Sequence, residues 1–173
     1  MNEAMYPPFV YFFGLPAAGK NYVGGVMAEE FGYTFYDGDL DLTLEMRDAM
    51  REERPFTEAM RERFYTLLIE RIAELRGEHG RLAFCQATFK EHHRDMIARA
   101  FPDVVFVLVE ATPEARASRL MQGGNPVTVD YAQRIGGLFE SPRHPHFIIT
   151  NNDGREEIVR QLAALLNWFA GED

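Results

Sequence analysis

The amino-acid sequence predicts an α/β protein with a doubly wound, five-stranded parallel sheet flanked by helices. Short apolar runs alternate along the chain with segments whose apolar residues recur at helical spacing, and this alternation is typical of a parallel sheet. Because crossovers between parallel strands are right-handed, we expect helices on both faces of the sheet. The chain has 173 residues, of which 46% are hydrophobic. This length and composition predict one domain over residues 1–173 with a substantial core.

The first predicted strand, Phe9–Phe13, consists of apolar residues without alternation, which indicates burial on both faces. Further strands are expected at residues 33–36, 82–85, 104–109 and 147–150. A helix is predicted after the first strand, because Val23, Met27 and Phe31 share one helical face and Gly32 stands at the C-cap position.

The other helices are predicted from start signals and apolar stripes. Thr57 is a predicted N-cap, and Pro113 stands where proline is favoured, at a first helical position. Four helices are expected at residues 40–51, 90–100, 113–121 and 129–140. Two more are expected from their apolar stripes, one after Thr57 with a stripe from Met60 to Leu75 and a C-terminal one with a stripe from Ile158 to Phe169.

The segment after the first strand has the spacing of a phosphate-binding loop, G-x-x-x-x-G-K. Its two glycines permit dihedrals that a Cβ would forbid, so successive N–H groups can surround an anionic oxygen. Lys20 adds a positive charge for the outer phosphates, and the next helix points its positive end at the same place. The alternative is a glycine-containing turn that binds nothing. The predicted nucleotide-binding residues here are Gly14, Leu15, Pro16, Ala17, Ala18, Gly19, Lys20, Asn21 and Tyr22.

Two carboxylates follow the second predicted strand, in Asp37-Gly38-Asp39. Oxygen ligands suit Mg²⁺, which proteins usually hold through one or two carboxylates, and a second carboxylate can orient or deprotonate an attacking hydroxyl. One carboxylate near a metal and one near a nucleophile fits phosphoryl transfer. The alternative is a solvated turn, because Asp and Gly are common turn residues.

Arginines on the predicted helices are candidates for binding anions. Arg119 precedes the glycine-rich break at residues 121–128, where a mobile lid is expected, and a lid arginine can neutralise charge on a transferring phosphoryl group. We therefore predict that Arg119 contacts the nucleotide and takes part in catalysis with Lys20. Arg61, Arg94 and Arg134 are predicted substrate contacts, with solvated surface positions as the alternative.

The composition excludes several classes of function. The formal net charge is −9 and no basic run occurs, which argues against binding to nucleic acid or a membrane surface. The single cysteine, Cys85, excludes an intrachain disulfide and fits a reducing compartment. No signal-peptide pattern or membrane-length apolar run is found, so we expect a cytoplasmic protein with a small-molecule substrate. The histidines show no metal-ligand spacing and are expected at the surface or at caps. A homodimer is one alternative for the oligomeric state.

With these residues placed, the chain resembles the small P-loop kinases of the gluconate kinase and shikimate kinase group, and more closely gluconate kinase. Residues 55–61 are similar to the pattern P-L-T-D-x-D-R, and Arg61 takes its arginine. Cys85-Gln86-Ala87 followed by Arg94-Asp95 is similar to C-S-A-L-K…Y-R-D, with one extra residue between them. The resemblance implies a nucleoside monophosphate kinase-like fold with a short lid, ATP and Mg²⁺ as cofactors, Asn21 and Asp37 at the metal, and Asp39 as the catalytic residue at the substrate hydroxyl. Residues 40–78 would supply the substrate-binding helices.

Three features depart from the group's pattern. Asn21 replaces the metal-binding hydroxyl, the lid lacks a basic residue at 121–124, and the R-K-G-H-F-like lid motif is absent. The preferred interpretation is an ATP-dependent kinase of a small, polar, anionic hydroxyl compound, with a gluconate-like sugar acid favoured. Two alternatives stay open, a nucleotide-binding protein with little or no transferase activity and a nucleoside or nucleotide kinase. Asn21 itself is expected either to bind the metal or to cap the helix.

Overall fold

The computed structural model describes residues 6–124 and 127–171. In this part of the chain, five strands form one sheet that seven α-helices flank. The strands are β1 Phe9–Phe13, β2 Thr34–Asp37, β3 Leu82–Cys85, β4 Val105–Glu110 and β5 His146–Thr150. The helices are α1 Lys20–Phe31, α2 Leu44–Arg51, α3 Glu58–Glu78, α4 Glu91–Ala100, α5 Pro113–Met121, α6 Val129–Gly136 and α7 Arg155–Ala170, and a 3₁₀ helix covers Gly38–Asp41. No helix in these ranges is long and apolar enough to span a membrane.

The sheet is parallel throughout, in the order β2-β3-β1-β4-β5. Strand β1 lies at its centre, and the chain fills one side of β1 before it crosses to the other. In such sheets the ligand binds at the carboxyl ends of the strands, where the strand order reverses. The predicted doubly wound fold is confirmed, and its reversal point lies at the end of β1.

Strand β1 shows why its residues are apolar without alternation. Val10 and Phe12 belong to the core that α1 and α7 cover, whereas Tyr11 and Phe13 belong to the core that α2, α3 and α4 cover. All five residues of β1 are 0% exposed. Burial on both faces therefore favours an apolar residue at every position of β1.

Gly24 determines how closely α1 approaches the sheet. A Cβ on Gly24 would lie 2.7 Å from a ring carbon of Phe35 and 2.8 Å from Sγ of Cys85, whereas a Cβ on Gly25 would have no atom within 4 Å. The adjacent glycines of α1 therefore differ. Gly24 is required for packing against β2 and β3, and Gly25 is not.

Two predicted helices are shorter than expected. The helix predicted from residue 40 begins at Leu44, because Gly38–Asp41 forms a 3₁₀ helix and the side chain of Thr43 accepts a hydrogen bond from the backbone N–H of Met46. The helix predicted to reach residue 140 ends at Gly136. Glu140 instead donates its backbone N–H to the carbonyl of Phe89, so a contact distant in sequence ends α6 early.

Candidate active site

The loop between β1 and α1 has the backbone geometry of an anion-binding loop. Gly14, Ala17 and Gly19 have positive φ values of 147°, 62° and 92°. A Cβ on Gly14 would lie 2.5 Å from the carbonyl oxygen of Val109, and one on Gly19 would lie 2.1 Å from Nδ2 of Asn151. Only glycine fits these two positions. No side chain caps the N-terminus of α1, so its first N–H groups are left for an anion.

Lys20 lies at the first position of α1 and folds over the loop. Its Nζ donates hydrogen bonds to the carbonyl oxygens of Gly14 at 3.1 Å and Leu15 at 3.0 Å. Burial lowers the pKa of this ammonium group, and the charges of Asp39 and Asp37 oppose that shift. A cation held beside the loop suits the binding of terminal phosphates.

Asn21 and Asp37, the two predicted metal ligands, are in direct contact. Nδ2 of Asn21 donates to Oδ2 of Asp37 at 2.8 Å, and Oδ1 of Asp37 accepts from the backbone N–H of Asp39 at 2.9 Å. The N-cap of α1 is Gly19, and the described contacts of Asn21 do not include a cap. The fold thus brings together a carboxylate and an amide oxygen, which are donors that fit Mg²⁺.

Asp39 lines the cavity beside the loop and accepts a hydrogen bond from Nε2 of Gln86 at 2.9 Å. Protein atoms around the carboxyl group and the charge of Asp37 raise its pKa. Lys20, Gln86 and Arg47 act in the opposite direction without cancelling that shift. A carboxylate with a raised pKa is a better proton acceptor than an ordinary aspartate, which suits the predicted role of Asp39.

Arg119 reaches the phosphate-binding loop from α5. Its guanidinium donates to the carbonyls of Ala17 at 3.0 Å and Ala18 at 3.3 Å, and to the carbonyl of Asn151 at 2.6 Å. Asn151 is buried and donates from Nδ2 to the same carbonyl of Ala18 at 3.0 Å. Arg119 therefore lies at the glycine-rich loop, and its contact with a nucleotide stays a prediction.

These groups share one cavity of about 640 Å³, within the range of small-molecule sites. It extends from the loop to α2, α3, α4 and α6. Arg61 lines the cavity, its side chain is 12% exposed, and it pairs with Glu58 at 2.7 Å. Tyr22 does not line it and is 46% exposed.

Arg94 does not line the cavity, in contrast to its prediction as a substrate contact. Its side chain is 0% exposed and pairs with Glu91 at 2.7 Å. It also donates to the carbonyls of Thr88 at 2.9 Å and Glu140 at 2.6 Å. These contacts tie the start of α4 to the segment after α6, so we leave Arg94 out of the proposed substrate site.

Arg134 also lies away from the cavity. Its side chain is 52% exposed and pairs with Asp130 at 3.2 Å and Glu53 at 3.5 Å. This is the solvated position that the sequence left as the alternative. We do not propose Arg134 as a substrate contact.

Some residues of this site have no functional role in the predictions from the sequence. Gln86, His93 and Tyr65 line the cavity, and Asn151 supports the loop. Gln86 directly follows β3, and Asn151 directly follows β5. Their positions after predicted strands are the feature of the sequence that could have indicated a place in the site. His93 is 1% exposed, which corrects the expected surface position. Its burial depends on packing between α3 and α4, which no local pattern reveals.

A glycine-rich loop follows the central strand β1, and two carboxylates lie at the end of the edge strand β2. Solved structures with a similar fold include three kinases. A gluconokinase from Sinorhizobium meliloti has a TM-score of 0.77 at 22% identity and covers 97% of this chain and 98% of its own. A sugar kinase from Janibacter has a TM-score of 0.78 at 20% identity and covers 91% of this chain and 93% of its own.

A shikimate kinase from Acinetobacter baumannii, solved with shikimate, has a TM-score of 0.60 at 19% identity, with 95% of this chain and 94% of its own covered. No family model and no curated protein matches the sequence. At these identities the likeness is one of fold. The predicted resemblance to the gluconate kinase and shikimate kinase group is thus confirmed at the level of the fold.

Proposed function

We propose that this protein is an ATP-dependent phosphotransferase that acts on a hydroxyl group of a small anionic metabolite. The observation that carries the proposal is the placement of Lys20 and Asp39 on the same cavity, beside the Asn21–Asp37 pair. A loop that binds phosphates, a carboxylate that accepts a proton and a space for an acceptor are the parts that phosphoryl transfer needs.

The geometry supports the following roles in the proposed reaction. The loop N–H groups hold the phosphates, and Lys20 and Arg119 neutralise charge on the transferring group. The acceptor oxygen forms a bond to the γ-phosphorus, the bond from that phosphorus to the β–γ bridging oxygen breaks, and ADP leaves. Asp39 takes the hydroxyl proton and releases it to solvent. Asn21 and Asp37 would hold Mg²⁺, which neutralises phosphate charge when bound.

The acceptor is expected to be anionic because Arg61 faces the cavity from α3. The sequence resemblance favours a gluconate-like sugar acid, and a gluconokinase is among the structures with the same fold. Gluconate is therefore the reference acceptor. The same proposal includes a lid at residues 121–128, of which residues 125 and 126 lie outside the described residues. It also includes substrate-binding helices within residues 40–78 and a cytoplasmic location.

A nucleotide-binding protein with little or no transferase activity is the second candidate. It is favoured by Asn21 at the hydroxyl position and by glycines, Gly123 and Gly124, where a lid would present basic side chains to the cavity. Both candidates bind ATP, and they differ in turnover.

The test is ADP release from ATP and Mg²⁺ with a panel of sugar acids, shikimate, simpler hydroxy acids and nucleosides, together with calorimetric measurement of ATP binding. We expect turnover of at least one anionic acceptor. We also expect Lys20→Ala to weaken ATP binding by roughly 10- to 100-fold, the range for a lost hydrogen bond to a charged group. Arg160→Ala, which removes an exposed cation, is the matched control. Tight ATP binding without turnover of any acceptor would favour the second candidate.

A further inference from the structure

Apolar side chains make up much of the wall of the cavity that Asp39 lines. If the protein is the proposed kinase, in-line transfer puts the acceptor and ADP on opposite sides of the phosphoryl group, so the walls beside Asp39 belong to the acceptor. Helices α2, α3 and α6 and the segments next to them supply these walls. Their apolar side chains in the cavity lining include Met46, Met50, Phe56, Phe64 and Leu138.

Most polar groups of the described residues in these walls already have partners within the protein. The side chain of Gln86 uses both ends, since it donates to Asp39 at 2.9 Å and accepts the backbone N–H of Ala87 at 2.6 Å. Arg47 donates to three backbone carbonyls at 3.1 to 3.2 Å. These groups serve to hold the 3₁₀ helix and its carboxylate in place.

Three further polar wall residues show the same pattern, whereas Nδ1 of His93 is buried without a partner among the described residues. The hydroxyl of Thr88 lies 2.7 Å from that of Tyr11, and Nζ of Lys90 lies 3.3 Å from a carboxylate oxygen of Glu140. The hydroxyl of Tyr131 donates to a backbone carbonyl at 2.9 Å. A ligand hydroxyl would have to compete with these contacts.

Two cations of the wall keep donors for a ligand, namely Arg61 and Lys90, whose ammonium group has three donors and one described contact. A guanidinium has five N–H donors, and the described contact of Arg61 uses one nitrogen for Glu58, a partner that is itself 69% exposed. Beside it, the rings of Tyr65 and His93 stack at 4.3 Å with 10° between their planes. This pair adds a flat aromatic surface to the wall.

We infer that the acceptor is a sparsely hydroxylated carboxylate, in which an apolar body separates the reacting hydroxyl at Asp39 from the anionic group at Arg61. This inference rests on the proposed kinase function. Each extra hydroxyl buried without a partner lowers affinity by roughly 5- to 150-fold, whereas an apolar chain gains from burial against these walls. The walls therefore select against a polyhydroxylated sugar acid.

The test compares 6-hydroxyhexanoate with gluconate. These acids match in chain length, charge and terminal hydroxyl, and they differ in the secondary hydroxyls. We measure kcat/KM from ADP release with ATP and Mg²⁺ and identify the phosphorylated product by mass spectrometry. 4-(Hydroxymethyl)cyclohexanecarboxylate is measured alongside as a rigid member of the sparsely hydroxylated class.

We expect the better of the two sparsely hydroxylated acids to exceed gluconate in kcat/KM by about 10-fold or more. An equal or higher value for gluconate would overturn the inference and leave the kinase proposal standing. Absence of a phosphorylated product from every acceptor of the wider panel would instead overturn the kinase proposal.

A pair of variants tests the wall directly. Phe56→Gln places an amide on the wall and should shift the preference toward gluconate by about 10-fold. Leu67→Gln makes a similar change on α3, at a residue that is 46% exposed and does not line the cavity, and should leave the preference unchanged. If Phe56→Gln leaves the preference between gluconate and the sparsely hydroxylated acids unchanged, the proposed contact between Phe56 and the acceptor is wrong. If that variant does not fold, the comparison of acceptors on the wild-type protein still decides.

Discussion

Asn21 stands at the proposed metal site, at a position where Ser or Thr is usual. A Ser or Thr hydroxyl would reach a metal directly from Cβ, whereas the carboxamide is longer and here donates to Asp37 at 2.8 Å. Its oxygen is still a ligand that a hard cation accepts, and Mg²⁺ readily keeps waters in its shell. We therefore expect a working enzyme with weakened metal affinity.

Asn21→Ser should lower the Mg²⁺ concentration that gives half-maximal rate, because it restores the hydroxyl that this loop position normally provides. The measurement is ADP release against Mg²⁺ concentration at saturating ATP. Asp37→Asn is the companion variant and should raise the Mg²⁺ requirement, since it removes a carboxylate from the site. Identical Mg²⁺ dependence in all three proteins would exclude both residues from the metal site.

The pKa of Asp39 predicts a pH dependence of the rate. The carboxylate must be ionised to accept a proton, and its pKa is raised from 3.8 by burial and Asp37, so kcat/KM should fall with decreasing pH through that raised pKa. Gln86 lowers this pKa by its hydrogen bond, so Gln86→Met should move the fall to higher pH, whereas Gln133→Met on the exposed side of α6 should not. A profile unchanged by Gln86→Met would exclude this tuning.

Asp39→Asn should lower kcat by roughly 10²- to 10⁴-fold with little change in ATP affinity. The substitution Asp39→Asn should also change the stability of the protein. A raised folded pKa means that the folded protein binds more protons between the unfolded and the folded pKa, so the stability contribution of Asp39 falls as pH rises through this window. Denaturation at neutral pH should therefore show Asp39→Asn to be more stable than the wild type. Equal loss of ATP affinity and turnover would argue against the catalytic role.

At the level of the elements, α1 has to lie close to the sheet and also to point its N-terminus at the phosphate-binding loop. Gly24 permits the close approach, because any Cβ there would overlap Phe35 and Cys85. Gly25 has a helical position with open space beside it. Gly24 is therefore needed for packing. Gly25 has no packing role and carries only the conformational cost of glycine in a helix.

Gly24→Ala and Gly25→Ala should have opposite effects on the free energy of unfolding. Gly25→Ala should raise it by about 0.5 to 1 kcal/mol, the helix-propensity difference between the two residues. Gly24→Ala should lower it by about 1 to 3 kcal/mol, as expected for overpacking. Urea denaturation of both variants measures the difference, and each variant serves as the control for the other. Equal effects would show that α1 shifts freely against the sheet.

Arg94 illustrates a second contribution of the elements. A buried guanidinium that meets Glu91 and the carbonyls of Thr88 and Glu140 joins α4 to the strand end before it and to the segment after α6. This network holds two of the walls of the cavity together. Its role is to position those walls, at a distance from the ligand.

For the whole molecule, the sheet topology decides where the chemistry lies. The loop after β1, the carboxylates after β2, Gln86 after β3 and Asn151 after β5 all meet at the carboxyl edge of one parallel sheet. The chain carries a formal net charge of −9, yet Lys20, Arg61 and Arg119 all line the cavity. The fold thus brings cations from three separate parts of the chain to the cavity beside the loop.

The sequence by itself determined the positions of the strands, the parallel doubly wound class of the sheet and the glycine-rich loop. Each of these depends on local information. Apolar runs mark buried strands. Gly14 and Gly19 adopt positive φ values because glycine has no Cβ, and this property is visible in the sequence. Local signals also located Asp39 and Arg119, which lie next to a strand end and a helix end.

Only the tertiary structure decided which arginines face the cavity. Arg61, Arg94 and Arg134 all occur on helices, and the sequence offers no means of separating a cavity wall, a buried network and a solvated surface. The same is true of His93 and of the apolar part of the cavity wall, to which α2, α3 and α6 contribute. These features depend on the packing of segments far apart in the chain, and neither periodicity nor spacing records that packing.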